Sequence, residues 1–222
     1  MQLVGIMLIV ERVTVGPLDT NSYIVLDSES REGILIDAGG ESSKILSVVR
    51  KHGVKITGIY LTHGHFDHIL AVRDLIEELN CKFYVHKQDL EILSQTPLEA
   101  KRLLGITIPP PPQPHGWIKE GDVIRVGNLE FRVIHTPGHT PGSVCYVAEG
   151  CVFTGDTLFA GSIGRTDLSG GDPEKLISSI LNKLFSLPDD YVVYPGHGPS
   201  TMIRVEKAMN PFVGEGGLFR RF

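Results

Sequence analysis

The hydrophobic pattern of the first half of the chain alternates between strand-like and helix-like segments. Four runs have the two-residue alternation or the continuous apolar character of strands, at residues 8–15, 22–27, 33–37 and 56–61. Residues 42–52 have the apolar spacing of an amphipathic helix, and a second helix is expected to begin near His68. A short strand at 81–85 and two short helices, at 89–93 and 98–104, complete this half.

The second half repeats this alternation of strands and helices. Strands are predicted at 123–126, 130–135, 143–147, 151–154 and 191–194, with turns at Gly127-Asn128 and Glu149-Gly150. Residues 173–185 are expected to form a helix that tolerates Pro173 in its first turn, and residues 200–210 a last helix. The pattern alone predicts an α/β protein with one domain over residues 1–222.

Composition narrows the class of protein. The 222 residues are 41% hydrophobic and 21% charged, as in ordinary globular proteins, and the net charge of −5 disfavours a nucleic-acid partner. No apolar stretch approaches the length of a membrane-spanning helix. Residues 1–10 are apolar but lack the basic start and the cleavage site of a signal peptide, so we interpret them as leading into the first strand.

The cysteines indicate a reducing compartment. Cys81, Cys145 and Cys151 are odd in number and have no CxxC spacing, so neither a disulfide framework nor a thiolate metal site is predicted. We therefore expect the cytoplasm.

A proline-rich segment, residues 108–114 (IPPPPQP), is the one low-complexity stretch. Four consecutive prolines favour a stiff polyproline conformation without free N–H donors. We favour a surface connector, and a lid over an active site is the alternative.

Candidate chemistry is concentrated in Thr62-His63-Gly64-His65-Phe66-Asp67-His68, directly after an apolar strand-like run. Imidazole and carboxylate groups are ligands for divalent zinc, iron and manganese. His63 and His65 are two apart in an extended stretch, so their side chains point the same way. Four such residues in six positions have no packing rationale, and the cluster alone nearly completes one metal site.

Three further candidate ligands, His139, Asp156 and His197, lie in glycine-rich turns. Each alone would be an ordinary histidine or a helix-capping aspartate, but the cluster makes the ligand interpretation the stronger one. Seven ligands are too many for one tetrahedral ion and suit two ions that share a bridging carboxylate. His135 is interpreted as structural or as a hydrogen-bonding partner of a ligand.

The order of these ligands and their flanking residues resemble the metallo-beta-lactamase superfamily. TPGHTPGS at 136–143, FTGDTLF at 153–159, GSIGRTD at 161–167 and YPGHGP at 194–199 are similar to the glyoxalase II-like hydrolases of that superfamily. The resemblance covers about residues 13–212. The chain ends about 25 residues after His197, so we expect it to lack the C-terminal helical domain of longer members.

This resemblance implies a fold and a ligand set. The fold would be a four-layer αβ/βα sandwich, in which two mixed sheets are flanked by helices and the metals lie at one edge between the sheets. Two divalent ions are implied, with zinc first and iron or manganese as alternatives. The ligands of the first ion would be His63, His65 and His139, those of the second Asp67, His68 and His197, and Asp156 would bridge both. Asp67 and Asp156 are the expected catalytic carboxylates.

The implied reaction is hydrolysis of an activated carbonyl by a metal-bridging hydroxide. Two ions that share a water lower its pKa from about 15.7 to near 7, and no Gly-x-Ser-x-Gly nucleophile motif is present. A thiolate leaves easily because the thiol pKa is about 8.5, which suits a small-molecule thioester such as S-lactoylglutathione. Arg165 is the candidate for binding a substrate anion, and an ion pair with Asp167 or Asp172 is the equal alternative. The sequence leaves the oligomeric state open.

Other functions stay open. Persulfide dioxygenases resemble this chain as well, and there one iron would be held by His63, His139 and Asp156. Lactonases share the ligand set. A true beta-lactamase is disfavoured because His68 completes a second site of a different type. An RNA nuclease is disfavoured by the acidic charge and by the lack of a long inserted arm. A binding module without catalysis would require that the protein carries no metal.

Overall fold

The first sheet is built from the N-terminal half of the chain. The computed structural model describes residues 8–220. The strands of this sheet are Leu8–Val15 (β1), Thr20–Asp27 (β2), Glu32–Ile36 (β3), Lys55–Tyr60 (β4), Lys82–His86 (β5) and Gly116–Ile118 (β6). They lie side by side in the order β1 to β6, with β1, β2 and β3 antiparallel and β3 to β6 parallel.

The second sheet is built from the C-terminal half. The remaining strands are Val123–Val126 (β7), Leu129–His135 (β8), Val144–Ala148 (β9), Cys151–Gly155 (β10), Leu158–Phe159 (β11), Ser162–Ile163 (β12), Val192–Pro195 (β13) and Thr201–Met202 (β14). The order in the six-stranded sheet is β14-β13-β10-β9-β8-β7, and β11 pairs with β12 alone. Each large sheet is therefore contiguous in sequence.

Residues 8–220 form five α-helices, most of which pack on the outer face of one of the sheets. They are Ser42–His52 (α1), Val72–Leu79 (α2), Leu90–Leu104 (α3), Pro173–Asn182 (α4) and Ile203–Met209 (α5). Short 3-10 turns occur at Phe66–His68, Lys87–Asp89, Leu184–Ser186 and Leu218–Arg220.

The alternation of side chains along buried strands creates the layers. In β2, Tyr23 and Val25 face the other sheet, whereas Ile24 and Leu26 pack against the helices. Three hydrophobic clusters result: one under α1 and α2, one between the sheets, and one under α4. This arrangement confirms the predicted αβ/βα sandwich.

Helix α3 corrects the prediction of two short helices. It runs without a break through Pro97, which lacks the N–H that would bond the carbonyl of Leu93. The hydroxyl of Thr96 donates to that carbonyl at 2.9 Å, so the carbonyl keeps a partner and the helix continues.

Other boundaries differ from the prediction as well. The helix expected near His68 begins only at Val72, after the 3-10 turn that holds Asp67 and His68. The helix predicted over 173–185 ends at Asn182. Thr201 and Met202, predicted to be helical, pair with β13 instead. Strands β6, β11 and β12 were not predicted.

Some expectations concern residues outside 8–220. The first seven of residues 1–10, which we interpreted as leading into the first strand and not as a signal peptide, lie there. Within the described part, no helix is both long enough and apolar enough to cross a membrane. The three cysteines are free thiols.

Two buried tyrosines connect the sheets next to the candidate ligands. The hydroxyl of Tyr146, on β9, donates to the carbonyl of Leu61, just before the histidine cluster. In the opposite direction, the hydroxyl of Tyr23, on β2, donates to the carbonyl of Pro195 at 2.7 Å, just before His197. Each sheet thus supports the ligand-bearing strand end of the other.

We expect Tyr146→Phe to lower the free energy of unfolding by about 1–3 kcal/mol, because the buried carbonyl of Leu61 loses its donor while the ring still fills its space. Chemical denaturation measures this change. Tyr60→Phe is the matched control, since no hydrogen bond of its hydroxyl is found among residues 8–220, and it should change stability little. Equal stability of the wild type and Tyr146→Phe would show that this tie contributes nothing.

Candidate metal centre

The seven candidate ligands come together at one edge of the two sheets. His63, His65, Asp67 and His68 follow the end of β4 and are buried. His139 follows β8, Asp156 follows β10 and His197 follows β13. The first sheet thus contributes four of these side chains and the second sheet three.

Two groups of close contacts match the expected half-sites. In one, the Nε2 atom of His139 lies 2.9 Å from Nδ1 of His65 and 3.3 Å from Nε2 of His63. In the other, Oδ2 of Asp67 lies 3.2 Å from Nε2 of His197 and 3.5 Å from Nε2 of His68.

Asp156 lies between the two groups. Its Oδ1 is 3.5 Å from Nε2 of His68, and its Oδ2 is 3.6 Å from Nε2 of His139 and 3.5 Å from Nε2 of His197. His63, His68 and Asp156 also form a compact group, with their ligand atoms within 4.8 Å of one another. Asp156 therefore occupies the place of a bridging ligand.

Glycine backbone at two positions allows the ligands to approach. A Cβ on Gly196 would lie 2.2 Å from Oδ1 of Asp156, so a larger residue there would displace the carboxylate. Gly64 does not have a positive φ, so its backbone conformation does not require glycine. A Cβ there would instead press on α3 at 3.2 Å from the backbone nitrogen of Leu93, so close packing is the reason for this glycine.

Hydrogen bonds on the outer side of the rings fix the tautomers of three histidines. Nδ1 of His139 lies 2.8 Å from the carbonyl of Arg165, and Nδ1 of His197 lies 3.0 Å from the carbonyl of Leu18. Nδ1 of His68 lies 2.9 Å from Oδ2 of Asp37. These oxygens only accept, so each Nδ1 carries the hydrogen and each Nε2 presents a lone pair to the centre.

The arrangement fits divalent metal ions. Among the described residues, Nε2 of His65, Nε2 of His68 and Oδ1 of Asp156 are buried without any hydrogen-bond partner. Because His63 and His139 each have an outer hydrogen-bond partner at Nδ1, their Nε2 atoms face each other with lone pairs at 3.3 Å, which is repulsive unless a cation lies between them. A nitrogen and oxygen donor set of this kind suits zinc, iron or manganese.

The electrostatics favour neutral imidazoles at His63 and His65 and a proton shared with carboxylates at His68. Burial, together with the neighbouring histidines, lowers the pKa of His63 well below its usual value, and burial and His139 lower the pKa of His65 to about 3. Burial opposes a charge on His68, but Asp67, Asp37 and Asp156 raise its pKa overall. Burial would likewise raise the pKa of Asp156, yet His68 and His139 lower it well below its usual value. A metal ion can take the place of the proton that His68 would otherwise share with these carboxylates.

Asp37 is a supporting residue that sequence analysis missed. It accepts hydrogen bonds from the backbone N–H of Thr62 at 2.7 Å, from the hydroxyl of Thr62 at 2.8 Å and from His68. That hydroxyl therefore receives the Nδ1 hydrogen of His63, 3.1 Å away. The available signal was a buried acid directly after strand β3.

Asp89 was also missed as a supporting residue. Its buried carboxylate accepts from the N–H of Gly64 at 2.8 Å, the N–H of Gly142 at 2.6 Å and the hydroxyl of Thr140 at 2.7 Å. It joins the loop that carries His63 and His65 to the loop that carries His139. Hydrogen-bonding partners of this kind fix the orientation of metal ligands.

The remaining predicted residues lie at the margin. His135 is in none of the three groups; it stacks on His86 at 4.3 Å, and its Nε2 lies 2.8 Å from the carbonyl of Pro141. The guanidinium of Arg165 donates twice to Asp167, at 2.9 and 2.7 Å, which is the ion-pair alternative. Prolines 109–112 line a small cavity with Ile69, Leu70 and Arg73 rather than the cavity above the ligands.

A cavity of about 360 Å³ opens onto the ligands. Its wall is mostly apolar and includes one carboxylate and one guanidinium besides the ligands. The lining residues are Leu18, His65, Phe66, Asp67, Glu99, Leu103, His139, Asp156, Phe159, Ile163, Arg165, Leu168 and His197. A larger groove of about 860 Å³, lined by Arg132 and Tyr191 among others, contains none of the seven ligands.

Comparison with known proteins identifies a family and relatives that match nearly the whole chain. The family model described as the metallo-beta-lactamase superfamily matches residues 15–197. The protein described as hydroxyacylglutathione hydrolase GloC from Haemophilus influenzae is 35% identical over 208 residues, which cover 92% of this chain and 97% of that protein.

Two solved structures are similar over nearly the whole chain. The BLEG-1 B3 metallo-beta-lactamase superposes with a TM-score of 0.87 at 36% identity, covering 92% of this chain and 99% of the other. TTHA1623 in a di-iron-bound form has a TM-score of 0.82 at 43% identity, covering 91% and 99%. Fold, motifs and relatives agree, and the chain belongs to the metallo-beta-lactamase superfamily.

Proposed function

We propose that this protein is a dinuclear metal-dependent hydrolase that cleaves a small-molecule thioester such as S-lactoylglutathione. The observation that carries the proposal is the position of Asp156 between two groups of converging ligand atoms. A single ion would need only one of these groups. The motifs around the ligands and the similarity to GloC support the substrate class.

The proposed ligand set follows the two groups. His63, His65 and His139 would hold one ion, Asp67, His68 and His197 the other, and Asp156 both. Zinc is proposed first, while iron and manganese suit the same donors and one similar structure holds two irons. When bound, two such ions lower the pKa of a shared water from 15.7 to about 7 and offset negative charge on a carbonyl oxygen.

Side chains of the protein orient the proposed catalytic carboxylates and limit water around the reacting carbonyl. Asp67 and Asp156, the proposed catalytic carboxylates, line the cavity, where their negative charge would hold the ions. The hydroxyl of Thr20 donates to Oδ2 of Asp67 at 3.0 Å and restricts its rotation. Apolar side chains such as Phe159 and Ile163 limit water around the reacting carbonyl, which strengthens electrostatic interactions. The departing thiol needs no strong acid because its pKa is about 8.5.

The first prediction concerns metal content. Wild-type protein should bind two ions per chain, and Asp156→Ala should lower the occupancy of both positions because the shared ligand is lost. Elemental analysis after purification without added metal measures this. His135→Ala, which alters a histidine outside the three groups, is the control and should keep both ions. One tightly bound iron and never a second ion would contradict the dinuclear proposal.

The second prediction concerns the reaction. S-lactoylglutathione should be hydrolysed at the same rate with and without dioxygen, because the proposed chemistry is not redox. Thiol release and oxygen consumption are measured in parallel, with glutathione persulfide, a lactone and a beta-lactam as competing substrates. Oxygen uptake with the persulfide and no thioester turnover would assign a dioxygenase. Faster cleavage of the lactone or the beta-lactam would assign one of those hydrolases instead.

The third prediction concerns Arg165, which we propose contacts a substrate carboxylate in competition with Asp167. Arg165→Ala should raise the KM for S-lactoylglutathione about two- to fivefold, the range of exposed charge pairs. Asp167→Ala should lower the KM, because the guanidinium is then free, and kcat should change little in both variants. If the KM is unchanged in both variants, Arg165 does not bind the substrate and is only the ion-pair partner of Asp167.

A further inference from the structure

Glu99 is the one cavity residue whose charge the proposed reaction does not use. It lies on α3, its side chain lines the cavity above the ligands, and only 6% of it is exposed. Within residues 8–220 it forms no hydrogen bond and no ion pair, and it belongs to none of the three ligand groups. The oxygens of its carboxylate are not among the buried atoms without a hydrogen-bond partner, so they open onto the cavity, where a partner can reach them.

The surroundings of Glu99 offer no such partner from the protein. The neighbouring cavity wall includes Leu103, one turn further along α3, and Phe66. Arg165 also lines the cavity and has the opposite charge, but its guanidinium already donates two hydrogen bonds to Asp167. The exposed Arg102 forms no ion pair with Glu99 among residues 8–220, and although its charge opposes the effect of burial, the pKa of Glu99 is raised overall. The cavity therefore has a carboxylate without an ion-pair partner, Glu99, and a guanidinium that already has one, Arg165.

We propose that Glu99 is a specificity-determining residue that binds a positively charged group of the substrate. The cavity would thus select thioesters that carry an ammonium group over neutral ones of the same shape. This inference rests on the proposed thioester hydrolysis and adds the charge of the preferred substrate. S-lactoylglutathione carries one ammonium group, and we assign that group to Glu99.

Binding is tested on the metal-loaded protein with two ligands that cannot be hydrolysed. S-propylglutathione carries the ammonium group, and N-acetyl-S-propylglutathione lacks that charge. Calorimetry should show that wild-type protein prefers the charged ligand by about tenfold or more, as expected for one charge-assisted contact. Glu99→Gln keeps the shape of the side chain and should bring the two affinities close together.

Hydrolysis is tested with a second pair that differs in charge but not in shape. Acetylthiocholine carries a quaternary ammonium group, and 3,3-dimethylbutyl thioacetate has carbon in place of its nitrogen. The ratio of kcat/KM values should favour the charged thioester about tenfold in the wild type and should fall toward one in Glu99→Gln. Glu91→Gln removes an equal charge from the exposed start of α3 and should keep the wild-type ratio.

The outcomes separate this inference from the proposed function. Ratios near one in wild-type protein for both pairs, or a preference that survives in Glu99→Gln, overturn it. An equal loss of kcat/KM for charged and neutral thioesters in Glu99→Gln also overturns it, because Glu99 would then act on the reaction itself. If no thioester is hydrolysed, the proposed function fails, and the calorimetric ratio still decides whether Glu99 selects charge.

Discussion

The structure depends on one buried site at which side chains that repel one another lie close together. Five imidazoles and two carboxylates from both sheets turn lone-pair atoms toward a common centre, where three polar atoms have no hydrogen-bond partner within residues 8–220. Such a centre is unfavourable without a cation and strongly favourable with one. The cross-sheet bonds of Tyr23 and Tyr146, and the carboxylates of Asp37 and Asp89, act against this repulsion by fixing the loops from outside.

Much of this centre could be predicted because its signals are local. The histidine cluster places four ligand-type residues within six positions, and the order of motifs resembles one superfamily. The layers were predictable for a similar reason. Alternation in β2 and the amphipathic spacing of α1 each indicate which side faces a core, and α1 has the predicted bounds, Ser42–His52.

What sequence analysis missed depends on contacts between distant segments. Asp89 reaches Gly142, 53 positions away, so its role cannot be read from its neighbours in sequence. The continuity of α3 depends on one side-chain hydrogen bond from Thr96, which outweighs the usual effect of Pro97. Strand β6 has three residues after a proline-rich segment, and its pairing with β5 is what makes it a strand.

Because each sheet is contiguous in sequence, the candidate ligands of the first sheet are synthesised before those of the second. The four candidate ligands of the first sheet are synthesised about 130 residues before His197. At about 5–20 residues per second this interval lasts roughly 6–26 s. Each of the three ligand groups includes one residue from the second half of the chain, namely His139, Asp156 or His197. A complete group of candidate ligands therefore exists only after most of the second half has been synthesised, so the proposed metal binding would come late and would join the second half to the first.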